Sequence, residues 1–208
     1  MSNLLETLRL LVQQEIRRQR VCELATVKAQ HSHADEGDKD NYAVTVVLRD
    51  SGIELKQVPV VVTRKGMASI PDVGDLVLVQ FVGGDINAPI VVGSLYNDED
   101  RPPVNAAGQT VLRLPLADDD SQTVQLTVDS EQQRAVTLKV GGGLTLTLID
   151  DDPVVKLDIA DGQTVIEIAR NGAVKVQSQN SIEIKASADI NIEAGGQLNL
   201  KGATVNIN

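Results

Sequence analysis

The last part of the chain is organised around pairs of aliphatic residues separated by one polar residue. Ile166-Glu167-Ile168, Val174-Lys175-Val176, Ile182-Glu183-Ile184, Ile190-Asn191-Ile192 and Leu198-Asn199-Leu200 start at eight-residue intervals, and Val205-Asn206-Ile207 follows after seven. Looser units precede them: Val124-Gln125-Leu126, Val136-Thr137-Leu138, Leu144-Thr145-Leu146 and Val155-Lys156-Leu157. Residues i and i+2 of a strand share a face, so each unit points two aliphatic side chains inward and one polar residue outward. Small or polar stretches such as Ala194-Gly195-Gly196-Gln197 supply the corners. Strands this short bury too little in one chain to offset their ordering entropy. The repeat therefore predicts that residues 123–208 form a trimeric, intertwined β-helix, a needle with one shared aliphatic axis. Its core is expected from Ile166, Ile168, Val174, Val176, Ile182, Ile184, Ile190, Ile192, Leu198, Leu200, Val205 and Ile207. At ordinary strand spacing, ten such units rise roughly 50 Å. A single-chain β-helix of the carbohydrate-lyase kind needs a coil about three units long.

Upstream, the alternation of Val44-Thr45-Val46 and Val77-Leu78-Val79-Gln80-Phe81 marks half-buried strands. Five are predicted, at 22–30, 42–49, 54–63, 75–82 and 89–96, with turns at Asp50-Ser51-Gly52 and Gly83-Gly84-Asp85. Five short strands in so few residues suit an oligonucleotide/oligosaccharide-binding (OB) barrel over residues 22–97. The proline- and charge-rich stretch 98–122 reads as a connector. Residues 3–19, within an N-terminal segment 1–21, form an amphipathic helix: Leu4, Leu8 and Leu11 with Leu5, Val12 and Ile16 make a stripe, and Arg17, Arg18 and Arg20 end it. A lone helix of that length is marginal in water, so it must pack on its own domain, on its copies or on a partner. The expected fold class is all-β, a barrel followed by a needle, with one short N-terminal helix.

Composition narrows the function. The chain has 208 residues and a net charge of −10, with about +2 in residues 1–21 and about −7 in residues 22–100. That balance disfavours nucleic acid as a partner. The only aromatic rings are Tyr42, Tyr96 and Phe81, so the needle must be built from aliphatic residues alone. Cys22 is the single cysteine, which rules out an intrachain disulfide. No apolar run is long enough for a membrane helix. The N-terminal segment, with Glu6 and Glu15 inside it and its arginines last, does not read as a signal peptide, so cytoplasmic synthesis is expected. No constellation suited to catalysis, a cofactor or a metal emerges. His31-Ser32-His33 has ligand-like spacing, and Asp35, Glu36, Asp38 and Asp40 resemble a calcium loop in composition, but both read better as exposed loop residues. The same holds for the acidic turn Asp118-Asp119-Asp120.

The run Pro71-Asp72-Val73-Gly74-Asp75-Leu76-Val77-Leu78-Val79-Gln80-Phe81, followed by Gly84-Asp85-Ile86-Asn87-Ala88-Pro89-Ile90-Val91-Val92-Gly93-Ser94-Leu95-Tyr96-Asn97, resembles the phage baseplate assembly protein V family. With the octad repeat behind it, the order is similar to the barrel-plus-needle part of central spikes in phage tails, R-type bacteriocins and type VI secretion. The resemblance implies a non-enzymatic homotrimer that links a baseplate hub to a membrane-piercing tip, as part of a virion or injection particle that breaches the target cell envelope. It also implies a separate hub protein, since no hub-like region precedes the barrel. Leu4, Leu8 and Leu11 are the candidate hub contact. The chain lacks a terminal His-x-His. Its end, Asn206, Ile207 and Asn208, is the expected contact for a tip protein of the PAAR-repeat kind. The competing reading is an OB binding module for nucleic acid or oligosaccharide, which would need a basic groove and stacking rings.

Overall fold

The computed structural model describes residues 2–18, 21–116 and 119–206. The chain divides into two compact units, Met1–Pro102 and Pro103–Asn208. The first holds one helix, α1 (Ser2–Arg18), and five strands: β1 (Cys22–His31), β2 (Ala43–Leu48), β3 (Glu54–Pro59), β4 (Leu76–Phe81) and β5 (Pro89–Leu95). The second holds seven strands: β6 (Gln109–Leu114), β7 (Val124–Asp129), β8 (Ala135–Val140), β9 (Leu144–Ile149), β10 (Val155–Ile159), β11 (Thr164–Ile168) and β12 (Val174–Ser178). The predominance of strand is the all-β class expected. No helix among the described residues is long and apolar enough to cross a membrane.

In the first unit the sheet order is β3-β2-β1-β4-β5, every neighbouring pair antiparallel. A parallel bridge from Val60 to Val91 joins the two edges, and the Val61 amide donates to the Val91 carbonyl at 2.9 Å. Closure in the circuit β1-β2-β3-β5-β4 is the five-stranded OB barrel. Its interior is Ala25, Val27, Val44, Val46, Leu48, Val58, Val77, Val79, Phe81 and Val91, all fully or almost fully buried. One aromatic ring therefore suffices for a barrel this narrow.

The barrel also explains part of the quoted signature. The Asp75 amide donates to the Asp72 carbonyl at 3.0 Å, which closes a tight turn at Asp72-Val73-Gly74-Asp75. Gly74 stands at φ +103, a conformation that side chains oppose. The turn is pinned to β1 by two hydrogen bonds: Gly74 N to Val27 O at 2.9 Å, and Val27 N to Asp75 O at 3.0 Å. They coincide with the register shift of β1 between Val27 and Ala29. Gly and Asp at these positions thus start β4 in register with β1.

The second unit differs from the winding its repeat predicts. Strands β6 to β12 pair in chain order as one antiparallel meander. Residues 109–114, expected within a connector, are its first strand. Past β12 the described residues contain no strand, so the units at 182, 190, 198 and 205 stand outside any sheet of a single chain. The hairpins are closed by tight turns stacked along the sheet margin. Gly141 N donates to Thr123 O at 2.8 Å, and Ala160 N to Gly143 O at 2.7 Å. At Gly141 a Cβ would stand 2.9 Å from the Ser121 carbonyl oxygen, with φ at +52, so the turn needs glycine there.

Candidate assembly surface

Antiparallel pairing fixes which side chains of the meander share a face. Leu112, Leu126, Leu138, Leu146, Leu157, Ile166 and Val176 lie directly opposite one another from strand to strand. This row runs down the middle of one face. A flanking row reads Leu114, Val124, Val140, Leu144, Ile159, Thr164 and Ser178. The other reads Thr110, Val128, Val136, Leu148, Val155, Ile168 and Val174. Every position is aliphatic except Thr110, Thr164 and Ser178, and the last two hydrogen-bond each other at 3.2 Å. The opposite face carries Val111, Thr127, Thr137, Thr147, Lys156, Glu167 and Lys175 in its middle row, polar but for Val111. On it Lys175 Nζ reaches Glu167 Oε2 at 3.4 Å, and Lys156 Nζ reaches Asp158 Oδ2 at 3.2 Å.

None of the aliphatic side chains on the apolar face is buried in one chain; Leu112 and Val176 remain about half exposed. Seven strands about six residues long span roughly 600 Å² in projection. That is the top of the range that soluble monomers leave open, where such a patch is commonly a binding surface. The face is three side chains wide, aliphatic almost throughout, and not buried by any described residue of its own unit.

Of the residues expected on the needle axis, Ile166, Ile168, Val174 and Val176 meet on this face. Their pairing is not the one a simple octad suggests: the hairpin reverses the order, so Ile166 faces Val176 and Ile168 faces Val174. Ile182, Ile184, Ile190, Ile192, Leu198, Leu200 and Val205 lie beyond the sheet, each about half exposed or more. Asn206 is exposed. Ile207 and Asn208, the rest of the expected tip contact, fall outside the described residues. Leu4, Leu8 and Leu11 sit on α1 and are at least half exposed, as are Leu5, Leu10 and Val12. The sequence reading missed Leu112 and Leu114, which it left in a connector, although Val111-Leu112-Arg113-Leu114 alternates like the later units.

Turns at the margins consume the acidic residues. Asp129 accepts from Gln109 Nε2 at 2.8 Å and from the amides of Glu131, Gln132 and Gln133 at 3.1, 2.8 and 3.4 Å. The Gln109 side chain first, then these amides, hold its carboxyl below the usual carboxylate range. An unfolded Asp has a pKa of about 3.9. The stabilisation Asp129 brings is therefore complete above that value and is lost as the pH falls through the depressed one. We expect the protection factors of the amides of residues 131–133, taken against intrinsic exchange at each pH, to be high at pH 6 and to collapse once the pH falls well below the ordinary carboxylate range, and those of Asp129→Ala to be low at both. Asp150 accepts from Arg170 Nη2 at 2.8 Å and meets Arg134 Nη2 at 2.6 Å, tying together three turns on one margin.

The ligand-like motifs are used locally. His31 Nε2 bonds Thr45 Oγ1 at 2.9 Å. Asp35 takes the Gly37 amide, and Asp38 takes those of Ala34 and Asp40. Among the described residues no three His, Cys, Asp or Glu side chains are grouped to hold a metal ion.

Comparison with known proteins places the barrel. Residues 59–96 match the family described as the Type VI secretion system/phage-baseplate injector OB domain. This stretch spans the end of β3 through β5, the signature turn included, and supports the baseplate assembly protein V family. That family is one of structural baseplate and injector proteins. No curated protein matches the chain significantly.

Proposed function

We propose that this protein is the non-enzymatic central spike of a contractile injection particle, acting as a homotrimer. The observation that carries the reading is the uncovered aliphatic face of β6–β12, which follows an injector-type barrel in the sequence. Three such sheets close into a triangular prism. A strand about 18 Å long as the side of a triangle puts each sheet roughly 5 Å from the axis, half the usual 10 Å between packed sheets. Leucine and valine fill that depth. Four sheets would stand about 9 Å from the axis and leave a void that only larger side chains could close.

The remaining units extend the needle by a different route. Strands β6 to β12 pair with one another within one chain, with only the outer edges of β6 and β12 open, whereas among the described residues the units from Ile182 onward have no partner strand. Copies winding about the same axis supply those partners, so this segment forms the intertwined β-helix and narrows the prism to its tip. Buried backbone groups demand pairing, and the trimer provides it. On this reading the barrel unit meets a hub protein. The end at Asn206, Ile207 and Asn208 meets a tip protein of the PAAR-repeat kind, and the needle is the part driven into the target envelope. An antibody against residues 195–206 should label contractile particles at the baseplate end, on the tail axis. Label along the sheath, or particles that lack the protein, would contradict the assignment.

A further inference from the structure

The barrel carries a second apolar strip on its outside, half-buried at Leu76 and Leu78 and more open at its flanks. Val77, Val79 and Phe81 point into the core, so Leu76, Leu78 and Gln80 of β4 point out. Leu24 of β1 lies opposite Leu78, and Leu95 of β5 opposite Leu76. Leu24 and Leu95 are both well exposed. At the Leu76–Leu95 end the strip runs into Asp72, Asp75 and Asp100. Asp72 N donates to Asp75 Oδ2 at 3.0 Å. Burial, and then the like charges of Asp72 and Asp100, push the Asp75 carboxyl up. Among the described residues no lysine or arginine is paired with these three. The surface is thus an aliphatic strip closed at one end by three carboxylates.

We propose that this strip is the docking site for helix α1 of a second copy of the chain. α1 has the matching pattern: a leucine stripe of at least half-exposed side chains, followed in the sequence by the basic run that holds Arg17, Arg18 and Arg20. Its segment carries about +2 against about −7 on the barrel segment. A chain's own helix is poorly placed for the match. It ends at Arg18, and the chain begins β1 at Cys22, opposite Gln80 at the other end of the strip, some 14 Å of strand away from Thr26 and Leu76. A neighbour's helix is free of that tether, so it can lay leucines on leucines with its basic C-terminal segment toward the acidic end of the strip. The proposal rests on the homotrimer of the spike reading, and it gives Leu4, Leu8 and Leu11 to a sister barrel where the sequence pattern pointed to the hub.

The test uses the full chain with Leu8→Cys and Leu78→Cys in a Cys22→Ser background, treated with a short bis-maleimide and run on denaturing gels. Helix exchange around the three-fold gives covalent dimers and trimers. Cross-linked product at monomer mass would put the helix on its own barrel and overturn the proposal. Trimers by sedimentation that stay uncross-linked would also overturn it and return the helix to the hub. A monomeric sedimentation mass would instead sink the spike reading itself. A second measurement does not need the pair. With Leu78→Cys alone, maleimide labelling should speed up at least tenfold when residues 2–18 are deleted, and equal rates would refute docking.

Discussion

Leu146→Asp should break the assembly into monomers. Leu146 sits in the middle row of β9, the central strand of the meander, so it marks the centre of the apolar face. In the prism three copies of it meet near the axis. Losing a buried leucine costs about 1.5–3 kcal/mol per chain. An unpaired carboxylate in that dry centre adds more, and three of them repel one another. The expected penalty is several kcal/mol per chain, enough to dissociate the trimer at micromolar concentration in a sedimentation experiment. Thr147→Asp is the matching control. It changes the next residue, on the polar face among Thr137 and Lys156, and should leave the mass unchanged. Equal effects of the two substitutions would mean that the faces are assigned wrongly.

The second large effect lies in the barrel. Phe81 is its one buried ring, only 2 % exposed, in a core otherwise made of valine, alanine and a single leucine. Phe81→Ala removes the largest side chain from a closed cavity that few neighbours can collapse into. The cost is about 3–5 kcal/mol, seen as a fall in the denaturant midpoint of the barrel transition. Tyr96→Ala, at an exposed ring just past β5, should change the barrel's stability by less than about 0.5 kcal/mol and barely move that midpoint.

Local pattern carried much of the barrel's information. The five expected strands match β1 to β5 with shifts of a few residues at their ends, because each is an alternating run bounded by Gly, Asp or Pro. Gly74 was visible as a motif, but its reason, a left-handed turn hydrogen-bonded to Val27, needed coordinates. Strand pairing in the second unit was less legible. Alternation tells which side chains share a face and says nothing of whether the next strand comes from the same chain or another. Ile166, Val174 and Ile182 look equivalent in sequence. Ile166 and Val174 nevertheless belong to one hairpin, and Ile182 to no strand of the chain at all. The difference lies in the connections. Ala169-Arg170-Asn171-Gly172-Ala173 has a glycine at φ +87 to reverse the chain, with Gly172 N bonded to Ala169 O at 2.9 Å. Ser178-Gln179-Asn180-Ser181 has none. The helix stripe was legible too, but not its surroundings, since no pattern in α1 says which barrel offers it a complementary strip.

Sedimentation equilibrium of the full chain tests the centre of the account, that the aliphatic face of β6–β12 is sealed between three copies. A single species of three chain masses, unchanged on dilution through the micromolar range, is predicted. A stable monomer would contradict the account outright. A dimer would replace the prism with a two-sheet sandwich.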